Sequence, residues 1–143
     1  MAGESIRVLS AYKSIQASAS VADGSFSGGS ATALSGTDMT STEQDFPILD
    51  FKLKAGAETP TADGMVHVYR RNSDGTDQSL APSLNYEKDY VASFQLAAVA
   101  SKSYYFYGSE NADKEAEYYL KNDNGTTLTL ELFVRSRGFN VAA

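Results

Sequence analysis

Apolar and polar residues alternate with a period of two through most of the chain, and no long 3.6-residue period competes with it. Alternation sends one set of side chains inward and the other outward, as a half-buried β-strand requires. Leu49, Phe51 and Leu53 alternate with Asp50, Lys52 and Lys54. Val66, Val68 and Arg70 alternate with Met65, His67, Tyr69 and Arg71. Residues 90–99 predict another strand, with Phe94 and Leu96 pointing one way, and residues 104–107 are a dense aromatic run. Residues 115–121 predict a strand around Tyr118, Tyr119 and Leu120. Leu128, Leu130, Leu132 and Val134 alternate with Thr129, Glu131 and Phe133, which predicts a strand over residues 127–135.

Turn chemistry separates these runs. Pro60 and Gly64 punctuate residues 57–64, and Asn72, Asp74, Gly75 and Asp77 mark a loop over residues 72–77. Asn124-Gly125 is a tight-turn signal, because both residues tolerate positive φ. Short strands at roughly ten-residue spacing with turns between them predict an all-β fold, an antiparallel β-sandwich or jelly roll. No internal repeat is visible.

The first part of the chain is patterned differently. Ile6, Val8 and Tyr12 predict one short strand, and Ile15, Ala17, Ala19 and Val21 predict a second with that face inward. Residues 22–44 are then small, polar and rich in Gly, Ser and Thr, with only Phe26, Leu34 and Met39 as apolar anchors. Such a segment alone buries too little apolar area to offset its ordering entropy. It reads either as a linker or as a flexible N-terminal arm that becomes ordered on a neighbouring subunit. The expected organisation is therefore an N-terminal extension with short strands over residues 1–44, followed by a β-sandwich domain over residues 45–143.

Composition narrows the function. The 143-residue chain has a net charge of -6 and no Cys, so disulfides and thiolate metal sites are excluded. The acidic balance opposes direct contact with nucleic acid or an anionic membrane. No apolar run reaches the ~20 residues of a membrane-spanning helix. Residues 1–5 lack the basic and apolar regions of a signal peptide, so synthesis in the cytoplasm is the expectation.

Candidate chemistry is sparse. His67 is the single histidine. Nucleophilic catalysis would need a Ser or Thr beside it, and no Gly-x-Ser-x-Gly elbow marks one. A zinc site would need more ligands than one His supplies. Residues 72–77 loosely resemble an oxygen-ligand calcium loop but lack the closing Glu, which favours a plain turn. Glu110, Asp113, Glu115 and Glu117 form an acidic cluster relieved by Lys114, which reads as a solvated strand edge that blocks unwanted pairing. No catalytic residue, metal or cofactor is expected. Four rings in a row at residues 104–107 must place rings on both faces of a strand, so one face lies outside the domain's own core. Tyr104, Tyr105 and Tyr107, with Phe26, Leu34 and Met39 of the arm, are the candidate interface residues. The rings do not choose between a protein and a carbohydrate partner, although the absence of Trp counts mildly against a sugar platform.

The order of strands and turns adds a resemblance. Residues 46–53, 58–64, 66–71 and 73–77, with residues 119–125 as a hairpin closed by the Leu-rich strand, resemble small virion structural proteins of tailed bacteriophages. The resemblance covers about residues 45–141 and is one of pattern, with no catalytic signature. It implies a β-sandwich of the capsid decoration or cement type, without enzyme activity and located in the virion capsid. The implied partners are the major capsid protein and copies of the chain itself, a homo-oligomer such as a trimer, with neither nucleic acid nor membrane. The alternative is a tail or receptor-binding β-sandwich module that binds a carbohydrate.

Overall fold

The computed structural model describes residues 5–9, 11–27, 48–71, 81–83, 90–110 and 117–141. These residues form eight strands and no helix: β1 (Ser5–Leu9), β2 (Lys13–Val21), β3 (Ile48–Ala55), β4 (Met65–Arg71), β5 (Tyr90–Gln95), β6 (Ser103–Glu110), β7 (Glu117–Asp123) and β8 (Leu128–Val141). They make two antiparallel sheets packed face to face, a β-sandwich.

The larger sheet has five strands and is organised by β8. Along one edge of β8 lie β1 and β2 in succession, and along the other lies β3, followed by β6. The smaller sheet has the order β5-β4-β7. Thus β1 and β2, expected as parts of a separate extension, are strands of the larger sheet, and Ile15 and Val21 belong to the common core.

The alternating apolar positions meet between the sheets. Leu49, Phe51, Leu53, Leu128, Leu130, Leu132 and Val134 from one sheet pack on Val66, Val68, Ala92, Phe94, Tyr118 and Leu120 from the other. Each fully buried Leu or Phe contributes about 1.5–3 kcal/mol. The Phe51 and Tyr118 rings meet across the interior with centroids 5.2 Å apart, tilted by 59°.

Three expectations are corrected. Register shifts in β2 between Ser14 and Gln16 and between Gln16 and Ala19 break the alternation, so Ile15 and Gln16 are both buried while Ala17 and Ala19 are exposed. The strand expected over residues 90–99 ends at Gln95. Beyond it, the Tyr104 hydroxyl accepts a hydrogen bond from the Ala97 N–H at 2.9 Å, which ties the connection back onto β6. Most consequential, Asn124-Gly125 does not close a hairpin. β7 and β8 lie in different sheets, and the turn carries the chain from one layer to the other.

That crossing is held by side chains. Gly125 takes the positive φ of 96°, whereas Asn124 is buried and pairs with Thr61 in both directions. Asn124 Oδ1 accepts from the Thr61 N–H at 2.7 Å, and Asn124 Nδ2 donates to the Thr61 carbonyl at 3.0 Å. Asn122 Nδ2 donates to the carbonyls of Val21 and Thr126, both at 2.8 Å. Two asparagines thereby join three connections at one end of the sandwich.

Candidate functional site

The aromatic run splits as the strand geometry demands. Tyr104 and Phe106 of β6 turn inward and pack against the core, while Tyr105 and Tyr107 stand on the outer face with 51% and 59% of their surface exposed. Their rings are stacked, 6.2 Å between centroids and 7° between planes. Cross-strand register places Phe133, Lys52 and Tyr105 in one row across β8, β3 and β6.

The next row is built around Asp50. Between the pairs Leu49–Ser109 and Phe51–Phe106 the register slips by one, so Tyr107 and Gly108 both face Asp50. Gly108 occupies this bulge with φ of 91°, where a side chain would be strained. Its N–H donates to Asp50 Oδ1 at 3.0 Å. Arg135 Nε donates to Oδ2 at 2.9 Å, and Arg137 Nε donates to both oxygens at 3.0 Å. Asp50 sits on the outer face of a sheet and yet has no exposed surface. Burial would raise its carboxyl pKa, but the hydrogen bonds from Arg135, Arg137 and Gly108 outweigh that and hold it below the usual value.

Rings enclose this ion pair. The Arg135 guanidinium carbon lies 4.8 Å from the Tyr12 centroid and 5.7 Å from that of Tyr107. Tyr12 also contacts Tyr105, with centroids 6.1 Å apart. Lys52 Nζ lies 4.8 Å from the Phe133 centroid. Burial pushes the Tyr12 hydroxyl up to about 12, although the Arg135 charge pulls the other way. The result is a continuous strip of Tyr and Arg whose geometry is fixed from beneath. Among the described residues of this face, Lys52, Lys54, Arg135 and Arg137 stand against Asp50, Glu131 and Glu58, which accepts from the Thr129 hydroxyl, a small cationic excess on a chain of net charge -6.

A second cluster occupies the outer face of the smaller sheet. His67 on β4 lies directly opposite Ser93 on β5 and Lys121 on β7. His67 Nδ1 is 2.6 Å from Ser93 Oγ, and Nε2 is 3.3 Å from Asp123 Oδ2. The Tyr90 hydroxyl donates to Ser93 Oγ at 2.6 Å. Lys121 Nζ reaches the same Asp123 oxygen at 3.5 Å. The rings of His67, Tyr69 and Tyr90 lie mutually 5.9–6.4 Å apart.

Phe26 also rests here, half-buried, with its ring 5.6 Å from that of Tyr69. It is held by pairing of residues 24–27 with β7, through Gly24 N–H to Asn122 C=O and Ser27 N–H to Leu120 C=O, both 2.6 Å. So the first of the arm's expected anchors is seated on the chain's own small sheet. Leu34, Met39 and the loop over residues 72–77 lie outside the described residues, as do Asp113, Lys114, Glu115 and the Glu110 side chain. Of the acidic cluster, Glu117 is described. It accepts from the Tyr119 hydroxyl at 3.0 Å and pairs with Arg71 Nη1 at 3.6 Å.

The sequence pattern found the outward rings of β6 but missed both polar centres. The alternation assigned Asp50 to a solvated face, and nothing local shows that Arg135 and Arg137, 85 and 87 positions away, close over it. The Ser partner that His67 required is 26 positions away and becomes visible once β4 and β5 are paired. Among the described residues, no group of three His, Asp or Glu converges as a metal site would need. No family model matches the chain, and no curated protein matches it.

Proposed function

We propose that the chain is a structural virion protein, a capsid decoration or cement protein that works by protein–protein contact and without catalysis. The strand-and-turn resemblance to small tailed-phage virion proteins motivates the reading. One observation supports it most: Tyr105 and Tyr107 are stacked outside the core, on a platform locked by Asp50, Arg135 and Arg137. Tyr and Arg are the residues that dominate binding energy at protein interfaces. A Tyr has two torsions to lose, and here the ring pair is already ordered, so docking costs little conformational entropy.

The cationic excess of this face suits a capsid surface that presents carboxylates. The major capsid protein is the proposed partner, with copies of the chain as neighbours in a homo-oligomer. Cementing follows from mass action. A protein that binds the assembled shell and not its free subunits stabilises the shell by about 2.7 kcal/mol per site at a free concentration of 100 Kd.

A cryo-EM map of the parent particle tests the proposal. It should show a two-layered sandwich on the outside of the head, with the five-stranded sheet against the shell. A complete particle map without such density on the head overturns it. The carbohydrate alternative is favoured by a different feature, the exposed Tyr90 ring beside Ser93 and the Gln95–Asp63 hydrogen bond of 3.0 Å. Glycan binding by the isolated protein, abolished by Tyr90→Ala, would favour it over cementing.

A further inference from the structure

We propose that Ser93 is a nucleophile that accepts acyl and phosphonyl groups from activated esters, with His67 as its base and Asp123 as a positioning residue. The inference is independent of the virion reading and concerns the opposite face of the sandwich. It rests on the convergence of Ser93, His67 and Asp123, with Ser93 Oγ and Asp123 Oδ2 at opposite nitrogens of one imidazole.

Asp123 Oδ2 lies 3.3 Å from His67 Nε2, beside the ring nitrogen turned away from Ser93, where a carboxylate suits the tautomer that carries its proton on Nε2. In that tautomer Nδ1 is an acceptor. Ser93 Oγ receives the Tyr90 hydroxyl at 2.6 Å, which leaves its own single proton for Nδ1, also at 2.6 Å. In that tautomer the chain runs from Tyr90 to Ser93 to His67, with the Asp123 carboxylate beside Nε2. A serine hydroxyl aimed at a neutral imidazole that a carboxylate orients is the activated-nucleophile arrangement. The two ring nitrogens are used in the reverse order of the serine-protease triad, which the chemistry permits because tautomers exchange their roles.

Register makes the arrangement rigid. Ser93, His67 and Lys121 are cross-strand neighbours in three hydrogen-bonded strands, so their Cβ positions are set by the sheet. Lys121 Nζ, 3.5 Å from Asp123 Oδ2, helps to hold that carboxylate beside His67. The site is open to a reactant, since the His67 side chain is 21% exposed and Tyr90 is 56% exposed. The His67, Tyr69 and Tyr90 rings supply an apolar wall for the ester's organic group.

In the step itself, Ser93 Oγ bonds to the carbonyl carbon or the phosphorus. Its proton passes to His67 Nδ1, and the bond to the leaving oxygen or halide breaks. The proton then leaves with that group, as an alcohol or hydrogen halide. The Tyr90 hydroxyl, within reach of Oγ, is free to turn its hydrogen bond to the oxygen that becomes negative. The products are an O-substituted Ser93 and the free leaving group, and no oxidant or reductant is involved.

The test uses the full chain and an alkyl fluorophosphonate, which would release fluoride on reaction. Adducts are followed by intact mass and located by peptide mapping. The proposal expects one adduct per chain, at Ser93, forming at least tenfold faster in folded protein than in urea-unfolded protein. Ser93→Ala should abolish it, and His67→Asn should slow it at least tenfold. Asp123→Asn should slow labelling while leaving it at Ser93. Labelling at Tyr90, no adduct at Ser93, or an equal rate in folded and unfolded chains overturns the proposal. An equal rate in a folded His67→Asn variant overturns it as well. Should that variant unfold, the comparison of folded with unfolded wild type decides alone.

Discussion

Asp50 and Arg135 face each other across β3 and β8, and the hydrogen bond from Arg135 Nε to Asp50 Oδ2, 2.9 Å long, lies beneath the rings of Tyr12 and Tyr107. The exposed rings of this face are thus supported by a buried charge. Removing Asp50 leaves two neighbouring guanidinium groups without that counter-charge, one of them packed against the rings of Tyr12 and Tyr107. Asp50→Ala should lower unfolding stability by about 3 kcal/mol, the lower end for a broken buried pair, because both arginines retain some exposure. Urea unfolding should show a fallen midpoint with an unchanged slope. A loss below about 1 kcal/mol would show that Asp50 does not carry the platform.

The same carboxylate sets an acid dependence. Its folded pKa lies below the value of 3.8 that an unperturbed Asp has, so the unfolded chain takes up the proton first. Asp50 therefore contributes full stability above the ordinary carboxylate range. That contribution is lost as pH falls through this range towards the lowered folded value. Stability measured against pH should fall more steeply there in wild type than in Asp50→Asn. Parallel profiles would contradict the assignment.

Tyr12 gives the alkaline counterpart. Burial holds its hydroxyl up to about 12, so the folded chain keeps a proton that the unfolded chain loses near 10. Stability from this group is complete below pH 10 and disappears as pH rises through 10 to about 12. In a phenolate absorbance titration, Tyr12→Phe should remove a group that ionises at the alkaline end. Loss of an early-ionising group instead would place Tyr12 in solvent.

Asn124 tests the crossing between sheets. Its side chain pairs with both backbone groups of Thr61, and its backbone leaves no room beside Gly64, where an added Cβ would lie 2.8 Å from Asn124 Cα. Asn124→Ala should cost about 2–4 kcal/mol, from two backbone groups left unpaired. Gly64→Ala should cost about 1–3 kcal/mol through overpacking. Calorimetric melting that leaves either variant at the wild-type Tm would refute this account of the connection.

These centres explain what was legible in the sequence. The alternation in β3 and β8 is regular, and Leu49, Phe51, Leu53, Leu128, Leu130, Leu132 and Val134 are all buried as their spacing demands. In β2 the spacing fails, because two register shifts bury Gln16 next to Ile15 and no local signal marks a bulge there. Asn124-Gly125 announces a reversal, but turn chemistry does not say which sheet receives the next strand. Packing decides that, since both β7 and β8 have a face to bury against the other layer. Asp50 with Arg135 and His67 with Ser93 are pairs made by topology, and each residue alone looks like an ordinary outward position.

The account stands most directly on the rings of β6. Tyr105 and Tyr107 are exposed and add little to the chain's own core, so the double variant Tyr105→Ala/Tyr107→Ala should keep wild-type stability to within about 1 kcal/mol. Interface anchors of this type contribute about 1–2 kcal/mol each or more, so the double variant should bind its capsid at least about tenfold more weakly. The measurement is a binding isotherm of both proteins on purified parent particles stripped of the chain, read by co-sedimentation. A folded double variant with at least tenfold weaker occupancy is the predicted result, and an isotherm that overlays the wild type would contradict the claim that this face binds the capsid.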